Sequence, residues 1–411
     1  MAPSWDLLIS NVLYPSGDDF RNWSRGDFAI AGEWIAEIGP ELPRQAGRLM
    51  DGSGLIAIPG LYNMHTHGHD MFWRGTREGA GVDRRWPDWF WNAYDTVSTE
   101  TCTAAATAAY VNSLRCGVTF VADHLRRTLD GPPFVEVLGA LGLPGAVFAS
   151  RPYGESSPLT LPHETAPRFE EALEQAARLP RRPVMIHAQE TPHRLEQIQR
   201  RTGRSTVELL DDHGLLHERT FLVHLCAHSD SDLELAAARG ACVVATPTAE
   251  MKLGERTLDP ERAARFGLKL LLGTDGPAYQ NSNDLFTDLK QMALLWAREH
   301  GPGAVRVEEL LAAVTWRAAE ALGRRGGRLR AGEPADLTLL AAGTLSLEPL
   351  VSEPFENIAV QLVYCATGAD IQHVVAAGRL LVEDGRCLAA DEPAVLAALR
   401  EAVGRHFRLH F

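Results

Sequence analysis

Pro59-Gly60-Leu61-Tyr62-Asn63-Met64-His65-Thr66-His67-Gly68 is a mostly apolar run that ends in two histidines one residue apart. In a β-strand, residues i and i+2 face the same side. His65 and His67 can therefore aim both imidazoles at one point, as a two-imidazole metal site requires. Three other apolar runs close on a polar residue: PVMIH on His187, TFLVH on His224 and LKLLLGTD on Asp275. In parallel barrels the reacting groups sit at the C-terminal strand ends, where loops form the site. Four such endings in one chain predict a barrel with its chemistry at that end.

Working outward, short apolar runs recur at Gly117–Ala122, Pro144–Ala149, Pro183–Ile186, Thr220–Val223, Gly240–Ala245 and Leu268–Leu272. Helical stretches lie between them: Thr99–Arg115, Pro167–Arg178, Arg194–His213 and Asp230–Arg239. This alternation predicts a parallel sheet with helices outside, its strands buried on both faces. One strand is hard to place. Between Ser150 and Arg182 only a loop and one helix can be read, so a fourth strand there must be short or irregular. The chain ends differ. Leu7–Leu13, Asp27–Ala31, Trp34–Ile38, Ala335–Ala341, Leu362–Cys365 and Ile371–Asp384 read as short strands with turns. The fold expected is α/β, a (β/α)8 TIM-type barrel over 59–330 with a small β-sandwich formed by 1–58 and 331–390. A terminal helix follows in 391–411.

Length and composition agree. A chain of 411 residues suits one large barrel plus a small accessory unit. With 45% hydrophobic and 23% charged residues it is neither membrane-like nor disordered in composition. No run of 18 apolar residues suggests a membrane span, and the start carries no basic-then-apolar leader. A formal charge of −13 argues against a nucleic-acid partner, which wants a basic face. Six scattered cysteines, with no CxxC pair, read as reduced thiols in a cytoplasmic protein. Lysine is scarce, with only Lys252, Lys269 and Lys290.

The segments PGLYNMHTHG, IHAQET (186–191), LVH (222–224), TPTAEMKLG (246–254), LLGTDGPAYQNSNDLF (271–286) and GEPADLTLL (332–340) stand in an order that resembles the amidohydrolase superfamily. Within it, the chain is similar to the branch of triazine chlorohydrolases and nucleoside or cytosine deaminases. The resemblance implies one divalent cation, zinc with iron or manganese as alternatives, held by His65, His67, His187 and Asp275. It implies Glu190 as the proton shuttle to the substrate ring, His224 as the residue that orients the attacking water, and Asp275 as a second proton carrier. Binuclear members bridge two metals with a carbamylated lysine from the fourth strand. No lysine precedes position 252, so a mononuclear site is expected.

Substrate contacts are expected from Trp86 and Asp88, in a loop that covers the mouth in relatives, and from Glu250. Relatives carry Pro-Thr-Ser-Asn where this chain has Pro247-Thr248-Ala249-Glu250. The 150–182 stretch also lacks the usual fourth-strand histidine and Tyr-Thr pair. Both departures concern the pocket and set this chain apart from a standard adenosyl-binding pattern. The reading is a metal-dependent aminohydrolase that cleaves an exocyclic C–N bond of a purine, pyrimidine, pterin or triazine. An amidase or dehalogenase using the same site, and a non-catalytic scaffold, are the alternatives. A small-molecule substrate is expected, with no nucleic acid or membrane partner. A homodimer is expected from the habit of the family.

Overall fold

The computed structural model describes residues 5–409, apart from 77, 80, 82–93 and 95. The two chain ends do come together, as one nine-stranded sheet. It contains β1 (Trp5–Pro15), β2 (Trp23–Ala31), β3 (Trp34–Gly39), β4 (Ala46–Asp51) and β5 (Leu55–Pro59) from the start of the chain. The same sheet takes β14 (Leu337–Ala341), β15 (Ile371–Ala376), β16 (Arg379–Glu383) and β17 (Arg386–Cys387) from the other end. The join is the antiparallel pair β5–β14, which sets Leu55 against Ala341 and Pro59 against Leu337. Its core gathers Ile9, Phe28, Ile30, Ala57, Leu337, Leu339 and Val375, all buried.

Eight parallel strands follow β5. They are β6 (Leu61–Thr66), β7 (Val118–His124), β8 (Gly145–Phe148), β9 (Leu159–Thr160), β10 (Val184–Ala188), β11 (Thr220–His224), β12 (Cys242–Ala245) and β13 (Lys269–Leu272). Their ladders run β6-β7-β8 and β13-β12-β11-β10-β9. An isolated bridge between Ala149 and Leu159 links β8 to β9. On the other side, the backbone N–H groups of Thr274 and Asp275 both donate to the His65 carbonyl at 3.0 Å. The elusive fourth strand is thus β9, two residues long, too short to leave a periodic signal. Alternate residues of these strands (Tyr62, Met64, Phe120, Phe148, Met185, Phe221, Val223, Val244 and Leu271) fill one buried cluster. Burying each large side chain contributes about 1.5–3 kcal/mol, and together they form a solid floor beneath the strand ends.

Two glycines mark close approaches. A Cβ on Gly60, between β5 and β6, would lie 2.1 Å from Thr119 Oγ1. One on Gly273, after β13, would lie 2.6 Å from His65 N. Two expectations need correction. Leu362–Tyr364 belongs to a helix, Ile358–Tyr364, capped by Cys365, whose buried residues Ile358, Ala359, Leu362 and Val363 repeat at i and i+4, a helical face. The stretch 194–213 is two helices, Pro192–Thr202 and Thr206–Asp212. Gly203 ends the first in the left-handed conformation, and Ser205 with Glu208 forms a capping box that starts the second. All six cysteines are free thiols. No helix among the described residues is long and apolar enough to cross a membrane.

Candidate active site

The strand ends carry the residues that the pattern singled out. Met185 faces the floor and period-two alternation carries His187 to the same line one step higher. His67 Nε2 lies 3.2 Å from His187 Nε2 and 3.4 Å from Asp275 Oδ1. His65 Nε2 lies 3.6 Å from the same Asp275 oxygen. Two ligands about 2.0–2.1 Å from one tetrahedral ion stand about 3.3 Å apart, so these separations match the edges of one coordination shell.

The chemistry of the donors agrees. Burial, with neighbouring imidazoles, holds His65 and His187 well below the usual histidine range, so both are neutral and present lone pairs. His67 Nδ1–H donates to the His124 carbonyl at 2.5 Å, which leaves Nε2 as the lone-pair nitrogen. His67 Nε2 and His187 Nε2 face each other at 3.2 Å. His65 Nε2 is buried without a hydrogen-bond partner. These residues fit a divalent cation. The fourth strand offers Thr160 and no lysine; the Thr160 hydroxyl contacts His124 Nε2.

Tight backbone geometry holds Asp275 in place. Asn63 and Thr274 exchange two hydrogen bonds, at 2.8 and 3.1 Å, across the β6–β13 seam. Thr66 Oγ1 donates to the Asp275 carbonyl at 3.0 Å. Asp275 has φ +59°, His224 φ +71° and Gln189 φ +49°. Left-handed backbone costs a non-glycine residue about 1–3 kcal/mol. Three such residues at strand ends mark where the surroundings impose side-chain direction.

Around this donor set lie three acid–base groups. Glu190 Oε1 is 3.7 Å from His224 Nε2. Glu250 Oε1 is 3.2 Å from His224 Nδ1 and accepts the Thr246 N–H at 2.9 Å. Burial opposes a charge on His224, but Glu190, Glu250 and Asp275 outweigh it and push its pKa up to about 9. His224 is therefore cationic at neutral pH before any ion binds. Glu250, expected from the sequence at the substrate, has this oxygen behind His224; its Oε2 is buried without a hydrogen bond. Trp86 and Asp88 lie outside the described residues.

Sequence reasoning missed Arg194, whose Nη1 donates to Glu190 Oε2 at 2.6 Å. The i,i+4 spacing at a helix start was the available signal. His124 lies with its ring 4.3 Å from that of His187. His69 points elsewhere, its Nε2 3.3 Å from the Tyr94 hydroxyl and 3.5 Å from Asp70 Oδ1, and burial pushes its pKa down to about 3.

Eight parallel strands, with a His/Asp donor set and acid–base partners at their C-terminal ends, define a metal-dependent hydrolase of the TIM-barrel class. The chain belongs to the amidohydrolase family, hydrolases of carbon–nitrogen bonds, whose pattern matches residues 155–381. It is 30% identical to the 5-methylthioadenosine/S-adenosylhomocysteine deaminase of Halobacterium salinarum, over 93% of this chain and 94% of that one. It is 29% identical to the 5'-deoxyadenosine deaminase of Methanothermobacter thermautotrophicus, over 92% and 95%. Among solved structures it is similar to an adenosine deaminase from Xanthomonas campestris with bound zinc. The TM-score is 0.85 and the identity 22%, over 98% of both chains.

Proposed function

We propose that this chain is a zinc-dependent aminohydrolase that replaces the exocyclic amine of an adenine-type ring with oxygen, releasing ammonia. The observation that carries this reading is the placement of Glu190 and His224, 3.7 Å apart, beside the donor set His65, His67, His187 and Asp275. The names of the relatives at 29–30% identity support the ring class. Those four residues would hold a divalent cation, which would lower the pKa of a bound water toward 7.

The chain's own groups do the rest. Glu190 takes the proton released as water ionises and delivers it to the ring nitrogen beside the amine-bearing carbon, which makes that carbon electrophilic. His224, held between Glu190 and Glu250, donates a hydrogen bond to the incoming oxygen as negative charge develops there. Asp275, through the carboxylate oxygen that does not face the imidazoles, accepts the remaining proton from that oxygen and passes it to the departing amine. Water is consumed and ammonia released, with no net change in charge. The absence of lysine on β9 supports one metal ion per chain.

The test is an ammonia-release screen on the zinc-loaded protein. It would include adenosine, 5'-deoxyadenosine, 5'-methylthioadenosine, S-adenosylhomocysteine, cytosine, pterins and amino- or chlorotriazines, with bound metal counted in parallel. Turnover of a purine with one zinc per chain is expected. Chloride release from a triazine with no ammonia from any purine would overturn the reading, as would a protein that binds no metal stoichiometrically.

A further inference from the structure

Glu190 must present its carboxylate to the ring in one orientation, yet a glutamate has three rotatable side-chain bonds. Its backbone is fixed. Gln189, just before it, has a left-handed φ of +49°, and its N–H donates to the buried Glu164 Oε1 at 2.8 Å. The Gln189 amide is itself tied down, donating to the Ala227 carbonyl at 2.6 Å and accepting the Val207 N–H at 3.2 Å. That network sets where the Glu190 side chain begins but not where its carboxylate ends. Among the described residues, the one hydrogen bond to the carboxylate comes from Arg194, Nη1 to Oε2 at 2.6 Å. The two side chains are only 9% and 14% exposed, so the bond is largely shielded from bulk water. With Oε2 engaged, Oε1 is left on the side of His224.

Resting on the role proposed above for Glu190, we infer that Arg194 is a positioning residue. It grips one carboxylate oxygen so that the other is held for proton transfer at the ring. Arg194 stands on the first turn of the helix Pro192–Thr202, whose start is fixed by the Thr191 side chain accepting the Arg194 N–H at 3.1 Å. Its guanidinium therefore has a rigid base. It acts through Glu190 rather than on the substrate, so its loss should appear in kcat and leave substrate affinity alone. A guanidinium that merely stabilised the helix start would alter melting and leave turnover untouched.

The experiment compares Glu190→Gln, Arg194→Met, Arg194→Lys and the double variant Glu190→Gln/Arg194→Met, all zinc-loaded. Ammonia release from the best purine of the screen is followed, with zinc content and thermal melting as checks on folding. Arg194→Met is expected to lose roughly 10- to 100-fold in kcat, with KM and zinc content near wild type. Arg194→Lys, which keeps one charged donor, should recover part of that loss. In the Glu190→Gln background Arg194→Met should cost nothing further, because the arginine works through the group already disabled. Wild-type kcat in Arg194→Met, with Glu190→Gln inactive, overturns the inference while leaving Glu190 as the shuttle. Losses that multiply in the double variant also overturn it. Near-normal turnover in Glu190→Gln sinks the underlying role of Glu190 instead.

Discussion

Gly273→Ala tests whether the approach of the eighth parallel strand to the first sets the spacing of the donor atoms. A methyl at this position would lie 2.6 Å from His65 N, 2.7 Å from His65 O and 2.9 Å from His65 Cβ. Non-bonded carbon contacts settle near 3.5–4.0 Å, so the end of β13 has to draw back from β6 by about 0.9 Å. None of the three is a flexible side-chain tip; two are backbone atoms and the third is the Cβ attached to that backbone. The two hydrogen bonds from Thr274 and Asp275 to the His65 carbonyl lie directly on that seam. Opening it moves Asp275 Oδ1 away from His65 Nε2, now 3.6 Å apart, whereas metal–ligand bonds tolerate only about 0.2 Å. Stability should fall by about 1–3 kcal/mol, the usual cost of overpacking. Zinc affinity should fall by at least the roughly 10- to 100-fold that follows loss of an outer-shell partner, and ammonia release should fall with it. The assay is zinc content after dialysis against a competing chelator, with metal-free melting and turnover. Gly139→Ala is the control, since an added methyl there meets nothing within 4 Å. If Gly273→Ala keeps one zinc per chain at wild-type affinity, the argument about the seam is wrong.

His187→Ala should lose zinc and turnover together, whereas Glu190→Gln should hold its zinc and lose about 10²- to 10⁴-fold in turnover; metal analysis beside kinetics separates the two. Asp288 is fully buried between the Thr248 N–H and the Gln280 amide, and burial raises its pKa from 3.8 to about 7. The folded state therefore binds more protons than the unfolded one between about pH 4 and 7, and this group makes stability fall as pH rises through that window. Asp288→Asn should flatten the pH dependence of melting there, and parallel melting curves for the two proteins would refute the assignment. Phe407, near the chain end, has its ring 5.6 Å from Phe72 and 5.8 Å from Trp73, in the turn that follows His67. Phe407→Ala should cost about 1–2 kcal/mol and lower turnover through that turn, and unchanged melting would rule the contact out as a support.

Much of the site could be read along the chain because strand periodicity is local. A two-residue repeat brings His65 and His67 toward one point, and an apolar run that closes on a polar residue announces a strand end whatever it pairs with. The helix Thr99–Arg115 was legible over its whole length for the same reason. Where the local signal was thin, the reading failed or stopped. The fourth strand has two residues, too few for any period. The helix at Ile358–Tyr364 is short and apolar enough to pass for a strand.

The amino-acid sequence by itself determined which chemistry is present: imidazoles and carboxylates at strand ends, and no lysine where a second metal would be bridged. Only the tertiary structure decided how far apart these groups stand and which atom of each faces which. Asn63 and Thr274 are 211 positions apart, yet their paired hydrogen bonds set Asp275 against His65. The position of Glu250 Oε1 behind His224 and the grip of Arg194 on Glu190 are likewise products of packing. A residue's neighbours along the chain dictate its face, but distances between strands depend on how side chains and backbones fit together across the whole barrel, which no local pattern records.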